Sequence, residues 1–375
     1  MSESYPSKAR TVEQLLIDLH QHDWSVNWKT ADALAEVGEY AFPHLLQALQ
    51  DTDGYVRNGA AIALGKIGNT DATQPLIGAL QWRDDRVYED DEDQEARTSA
   101  ATALGKLRSD AACQALMAEL EKLPSLSLTL ASYIVEALGE IGNPKAAPVI
   151  VRAIDSGDFE LQKTACWALE RLGPDGIEAL LKMASKRDQP GRSHIIRALG
   201  ANSIESATPL LLQILQEPSE DKFVLCQAAE ALGRIGGSPK ILPTLLAMLR
   251  APDEVVQMGA LSGLGALRDS RAYNAIVEHL NSAYHRYTAI MALGELGDTR
   301  ACDLLIPMLE SRNYNSALHA AIALGKIGCH DALPLLIQLR NQMAATDSSV
   351  SKAHLATVEG IIQALQQREE VSPPD

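Results

Sequence analysis

The side chains best suited to chemistry fall at fixed offsets from a recurring leucine. Two places before it stand Glu136, Trp167, Arg197, Glu230 and Met291; six before it, Trp28, Cys226 and Tyr287; five before it, Tyr133, His194 and His319. Four-residue steps stay on one helical face, so these residues form a candidate binding row rather than a scattered set. The rings of Trp28, Tyr133 and Trp167 offer stacking surfaces for a flat ligand or for a partner's side chains, and Arg197 offers a counter-charge for an anion. The sequence carries no phosphate-cradling G-x-x-x-x-G-K-S/T loop and no G-x-S-x-G elbow to activate a serine.

Such a row needs a rigid array of helices behind it. Of the 375 residues, 46% are hydrophobic but only 4% aromatic, with three Phe, so the apolar content is mostly small and aliphatic and suits closely packed helices. Lys and Arg number 33 against 49 Asp and Glu, a formal charge of −16. That balance disfavours nucleic acid and anionic membranes, which bind through cations that neutralise phosphate. No window approaches the roughly 18 apolar residues of a membrane span. The stretch from Met1 to Arg10 lacks the apolar core of a secretory signal, and five scattered cysteines without a C-x-x-C pair suit a reducing compartment. A cytoplasmic protein is expected.

The phrase A-L-G-x-I-G supplies the array. It appears as ALAEVG at Ala33–Gly38, ALGKIG at Ala63–Gly68, ALGEIG at Ala137–Gly142, ALGRIG at Ala231–Gly236, ALGELG at Ala292–Gly297 and ALGKIG at Ala323–Gly328, with variants between. The spacing is about 30 residues, with one interval of about 40. Each unit reads as two helices. In the second, Pro43 opens the first helix, Asp51-Thr-Asp-Gly54 supplies turn and cap, and Val56–Ile67 forms the second, closed by Gly68. One pair cannot bury its own apolar face, whereas stacked pairs bury a continuous one. The expected fold is therefore all-α: a solenoid of about ten stacked pairs filling residues 1–375 as a single domain. The long interval holds a strongly acidic stretch at 82–95, expected as a solvated loop. A capping helix is expected over 352–367 with a frayed tail at 368–375.

The run Asp51-x-Asp53-x-x-Val56-Arg57-x-x-Ala60-Ala61-x-Ala63-Leu64-Gly65-x-Ile67-Gly68 resembles the HEAT-like repeat in the short form named after phycobilisome lyases. The resemblance covers nearly the whole chain. It implies a right-handed solenoid whose second helices line a concave groove, so the candidate row would face that groove, and it implies a ladder in which Asp51 or Asp53 holds Arg57. It also implies two functional readings. In the first, a non-catalytic scaffold grips a client protein, in phycobiliprotein maturation or turnover, with a phycobiliprotein or a second lyase subunit as partner and no cofactor. In the second, a bilin lyase or lyase subunit holds an open-chain tetrapyrrole for attachment to a phycobiliprotein cysteine, with Trp28, Tyr133, Trp167, His194 and Arg197 as the bilin-facing set. An iron-binding hydroxylase of similar repeats would need His-Glu dipeptides on the second helices. None occurs; Glu278-His279 is reversed and isolated.

Overall fold

Capping residues set the length of the inner helices. In the computed structural model, which describes residues 5–83, 91–123, 128–154, 158–189, 191–217, 219–311, 313–345 and 349–371, the Asp23 carboxylate accepts from the amides of Ser25 and Val26, Asp53 from Tyr55, Asp158 from Leu161, and Asp253 from Val255. These acceptors satisfy amides that have no partner inside the helix. At the other end Gly68, Gly297 and Gly328 adopt left-handed backbone that stops the helix. Where the repeat lacks that glycine, Arg108, Ser203 and Arg268 take the same conformation, with φ of 50°, 51° and 55°. A side chain in this region costs about 1 kcal/mol.

The helices alternate between outer and inner positions. The outer/inner pairs run α1 (Tyr5–Asp18) and α2 (Trp24–Val37), α3 (Phe42–Ala48) and α4 (Gly54–Ile67), α5 (Thr73–Leu80) and α6 (Asp91–Leu107), α7 (Asp110–Lys122) and α8 (Leu128–Ile141), α9 (Ala147–Ile154) and α10 (Phe159–Arg171), then α11 (Pro174–Ala184) and α12 (Arg192–Ala201). They continue as α13 (Thr208–Ile214) and α14 (Lys222–Ile235), α15 (Ile241–Met248) and α16 (Glu254–Leu267), α17 (Tyr273–Val277) and α18 (Arg286–Leu296), α19 (Cys302–Leu305) and α20 (Tyr314–Ile327), α21 (Leu333–Ala344) and α22 (Ser349–Val371). The described residues form no strand, and none of their helices is long and apolar enough to cross a membrane. The chain divides into two compact units, Met1–Ile195 and Ile196–Asp375. Each is a stack of helix pairs, an α-solenoid.

Inside each unit, neighbouring inner helices pack on each other, α4 on α6 and α6 on α8, α14 on α16 and α16 on α18. The anchoring leucines, Leu64, Leu104 and Leu138 among them, have no exposed surface. The glycine after the leucine sets the spacing: a methyl group at Gly65 would sit 2.8 Å from the Cβ of Ala103, so only hydrogen there lets the two backbones approach. A second device ties outer to inner helices. Seven places before the leucine, a long polar side chain donates to a carbonyl at or just beyond the end of the outer helix of its own pair. Arg57 Nη1 reaches Asp51 O (2.7 Å), Arg97 Nε Leu80 O (3.0 Å), Gln162 Nε2 Ile154 O (3.0 Å), Arg192 Nε Ala184 O (2.7 Å), Gln257 Nε2 Ala251 O (2.7 Å) and Arg286 Nε Leu280 O (3.2 Å). Helix ends leave such carbonyls unsatisfied by the helix itself.

Three expectations are corrected. The acid paired with Arg57 is Asp93, buried at the start of α6, rather than Asp51 or Asp53. Asp53 is occupied as the cap of α4 and by His20 Nδ1 (3.1 Å) and His22 Nε2 (3.0 Å), while the Asp51 carboxylate accepts from Asp53 N. The acidic segment 82–95 is therefore not wholly a solvated loop: 91–95 is helix, anchored by the Arg57–Asp93 pair, and 84–90 lies outside the described residues. The C-terminal helix is longer than 352–367. It runs Ser349–Val371, so the expected tail is helical through residue 371.

Candidate functional site

In the N-terminal unit, α2, α4, α6 and α8 enclose a cavity of about 230 Å³. Ala61, Ile62, Gly65 and Ala103 line it with apolar surface, Trp24, Trp28 and Tyr133 provide aromatic faces, and Thr98, Thr102, Glu95, Lys66 and Lys106 provide polar groups. Trp24 and Trp28 stand one turn apart on α2, which Asp23 caps. Trp24 packs on Tyr55 with ring centroids 4.2 Å apart, and Tyr55 stacks on His22 at 4.7 Å. Trp28 is 56% exposed and Tyr133 42%, an unusual exposure for rings this large. The Lys66 ammonium lies 5.5 Å from the Trp28 ring centre while bonding the Asp32 carboxylate.

Beside this cavity runs a buried amide chain. Asn27 Nδ2 donates to Tyr55 O (2.8 Å), Asn58 Nδ2 to Asn27 Oδ1 (2.9 Å), and Ser99 Oγ to Asn58 Oδ1 (2.6 Å). The chain crosses α2, α4 and α6, so a slip of one helix against the next would strand a buried polar group, and the register that positions the aromatic faces is held. Nearby, burial alone would raise the Asp53 carboxyl. Hydrogen bonds from His22, His20 and Tyr55 N together hold it below the usual carboxylate range.

The C-terminal unit builds a different surface from the same repeat. A wider cavity of about 670 Å³ is lined by Glu230, Arg234, Ser262, Arg268, Thr288, Met291 and Glu295 among others. Its charges are matched: Arg234 Nη2 lies 2.5 Å from Glu230, Glu295 is bonded by Lys326, and Arg268 lies 4.0 Å from Glu295. Burial first, and the nearby Glu230 second, push the Cys226 thiol up to about 11. At neutral pH it is therefore protonated, and a protonated thiol is a poor nucleophile.

The candidate row is thus split. Trp28 and Tyr133 meet in the N-terminal cavity, and Glu230 and Met291 in the C-terminal one. Tyr287 and His319 pack on each other at 5.0 Å. Trp167 carries Arg171 over its ring at 5.0 Å, and His194 sits edge-on to Phe159 at 4.6 Å. Glu136 and Arg197 are exposed, and neither they nor Trp167, His194 or Cys226 line these two cavities. Reading the sequence missed Trp24, Lys66 and Lys106. The two lysines lie two places after the anchoring leucine, the next step of the same four-residue series, and Trp24 precedes Trp28 by four.

Repeat by repeat, HEAT repeats match residues 12–89, 120–200, 177–265, 208–284 and 275–348, and the PBS lyase HEAT-like repeat matches 96–122. The chain belongs to the HEAT-repeat family. Among HEAT relatives, phycocyanobilin lyase subunit alpha of Nostoc sp. is 31% identical over 258 residues, 64% of this chain and 80% of that protein. Bilin biosynthesis protein PecE of Mastigocladus laminosus is 28% identical over 164 residues, 43% of this chain and 60% of that protein. Deoxyhypusine hydroxylase of Candida albicans is 28% identical over 232 residues, 60% of this chain and 68% of that protein. Among solved structures, the karyopherin Kap121p bound to Pho4p superposes with a TM-score of 0.54 at 15% identity, covering 97% of this chain. The chain spans about half the length of that karyopherin (47%), and the likeness shows the HEAT solenoid fold alone. Among the described residues, no three His, Cys, Asp or Glu side chains are grouped to hold a metal ion.

Proposed function

We propose that this protein is a client-binding HEAT solenoid that grips its partner with the inner face of the N-terminal unit, in phycobiliprotein maturation or turnover. The observation that carries the reading is the cavity between α2, α4, α6 and α8. At about 230 Å³, beside a second hollow of about 510 Å³ that shares Trp24, Trp28 and Glu95 with it, it can take one bulky side chain of a client whose backbone lies along the neighbouring hollow. Its half-exposed tryptophan and tyrosine are the residue types that dominate interface energetics.

A second reading is favoured by the relatives named as bilin lyase subunits. There the protein, or a complex containing it, attaches an open-chain tetrapyrrole to a phycobiliprotein cysteine. In that case Trp28 and Tyr133 would hold one pyrrole ring, Lys66 or Lys106 a propionate, and the rest of the substrate would lie outside the cavity. The thiol that reacts would be the client's, since Cys226 is held protonated.

Titration calorimetry with a bilin-free phycobiliprotein subunit tests the first reading. Binding is expected without any bilin, and Trp28→Ala or Tyr133→Ala is expected to weaken it by about tenfold or more. A protein that ignores the bilin-free subunit, yet shows a saturable absorbance change with phycocyanobilin that Trp28→Ala abolishes, is a lyase component instead.

A further inference from the structure

A client-binding groove leaves open what the client must present, and the charges at the two ends of the N-terminal cavity bear on that. Glu95 and Lys106 both line it and both stand on α6, eleven residues apart, which is about 16 Å along the helix axis. Neither has an ion-pair partner among the described residues, whereas the third charged liner, Lys66, is bonded to Asp32. Between the two ends Ile62, Ala103, Trp28 and Tyr133 give apolar and aromatic surface, interrupted by Asn58 and by the hydroxyls of Thr98, Ser99 and Thr102, which already donate to Gln94 O, Asn58 Oδ1 and Thr98 O.

From this we infer that the cavity recognises an extended client segment with a bulky apolar side chain at its centre, a carboxylate directed to Lys106 and a cation directed to Glu95. The two client charges stand about five residues apart, because extended chain advances about 3.3 Å per residue. The apolar plug supplies affinity, and the opposed charges supply register and orientation: a carboxylate at the Glu95 end, or a cation at the Lys106 end, meets a like charge. The inference rests on the client-binding reading and adds the chemistry of the bound segment.

The test uses the full chain and the synthetic peptide acetyl-Asp-Ala-Phe-Ala-Ala-Lys-amide, with saturation-transfer NMR as the readout. Two control peptides replace Phe by Ala, or Asp by Lys. The parent peptide is expected to bind about tenfold tighter than the Ala peptide and about three- to fivefold tighter than the peptide with Lys at both ends. In Lys106→Glu that second preference is expected to reverse, and Ile62→Trp, which fills the cavity, is expected to abolish binding of every peptide while circular dichroism reports an unchanged fold. Equal binding of the two charged peptides, a preference unmoved by Lys106→Glu, binding that survives Ile62→Trp, or no binding at millimolar peptide each overturns the inference. If Trp28→Ala still disrupts the complex with the bilin-free subunit while the charge preference is absent, this inference falls and the client-binding reading stands. If the subunit never binds but the peptides follow the charge rule, the groove is right and the proposed client is wrong.

Discussion

In the N-terminal unit the inner helices gather Trp24, Trp28 and Tyr133 around a cavity of about 230 Å³, while the C-terminal unit surrounds about 670 Å³ with Glu230, Arg234, Arg268 and Glu295, whose charges are already matched. The ties between helices differ in the same sense. In the N-terminal unit Arg57 and Arg97 hold the outer helix of their own pair and also bond an acid of the following pair, Asp93 and Glu119. In the C-terminal unit Gln257 and Arg286 make the same carbonyl bond, and among the described residues neither pairs with an acid of the following pair. One repeat thus separates two jobs. The leucine, the glycine and the cap build the stack, and the steps six before, two before and two after the leucine are left to define a surface. A protein can therefore carry an adhesive stretch and a self-satisfied polar stretch on one scaffold without altering the fold.

Stability measurements on matched positions break or sharpen that contrast. The largest effect is expected at Arg57, which is 1% exposed. Arg57→Ala removes one side of the buried pair with Asp93 and should cost about 3–5 kcal/mol in urea unfolding, while Gln257→Ala, losing one neutral hydrogen bond, should cost about 1 kcal/mol. Equal losses would mean that the charged tie adds nothing. Next comes Asp53. Asp53→Ala should cost about 1 kcal/mol at neutral pH through the lost cap. Because the folded carboxyl titrates below its unfolded value, its contribution is fully present above about pH 4 and is lost as pH falls through the folded value. The gap between variant and wild type should therefore close in acid, and a gap that widens there would reverse the assigned direction. The smallest effect is a gain. Arg268→Gly relieves a left-handed residue at φ 55°, and should stabilise the C-terminal unit by about 0.5 kcal/mol after the added freedom of the unfolded chain is deducted. A loss would mean that the Arg268–Glu295 contact outweighs the strain.

The scaffold was legible because it recurs: each anchoring leucine, closing glycine and capping aspartate appears many times, and every copy constrains the others. What occurs once was harder to read. The resemblance implies Asp51 or Asp53 as the partner of Arg57, but the long interval folds Asp93 back onto α4 as the first turn of α6. The same acidic run looked solvated because composition does not reveal that one carboxylate of a cluster is buried. At the site, the steps before the leucine lead to Trp28 and Tyr133, whereas Lys66 and Lys106 stand on the step after it, where lysine is the ordinary solvent-facing residue of the repeat phrase. The Asn27–Asn58–Ser99 chain joins three different pairs, a relation that no periodicity within a single repeat contains.

The tie seven places before the leucine bears on how the chain responds to force. Each one closes a loop within a single helix pair, from the inner helix back to the end of its own outer helix. A molecule pulled by its termini would therefore yield pair by pair, each rupture shedding one short loop while the remaining pairs stay latched. Where Arg57 and Arg97 also reach into the next pair, to Asp93 and Glu119, two neighbours must let go together, so the stretch from α3 to α7 would be the last part of its unit to lengthen.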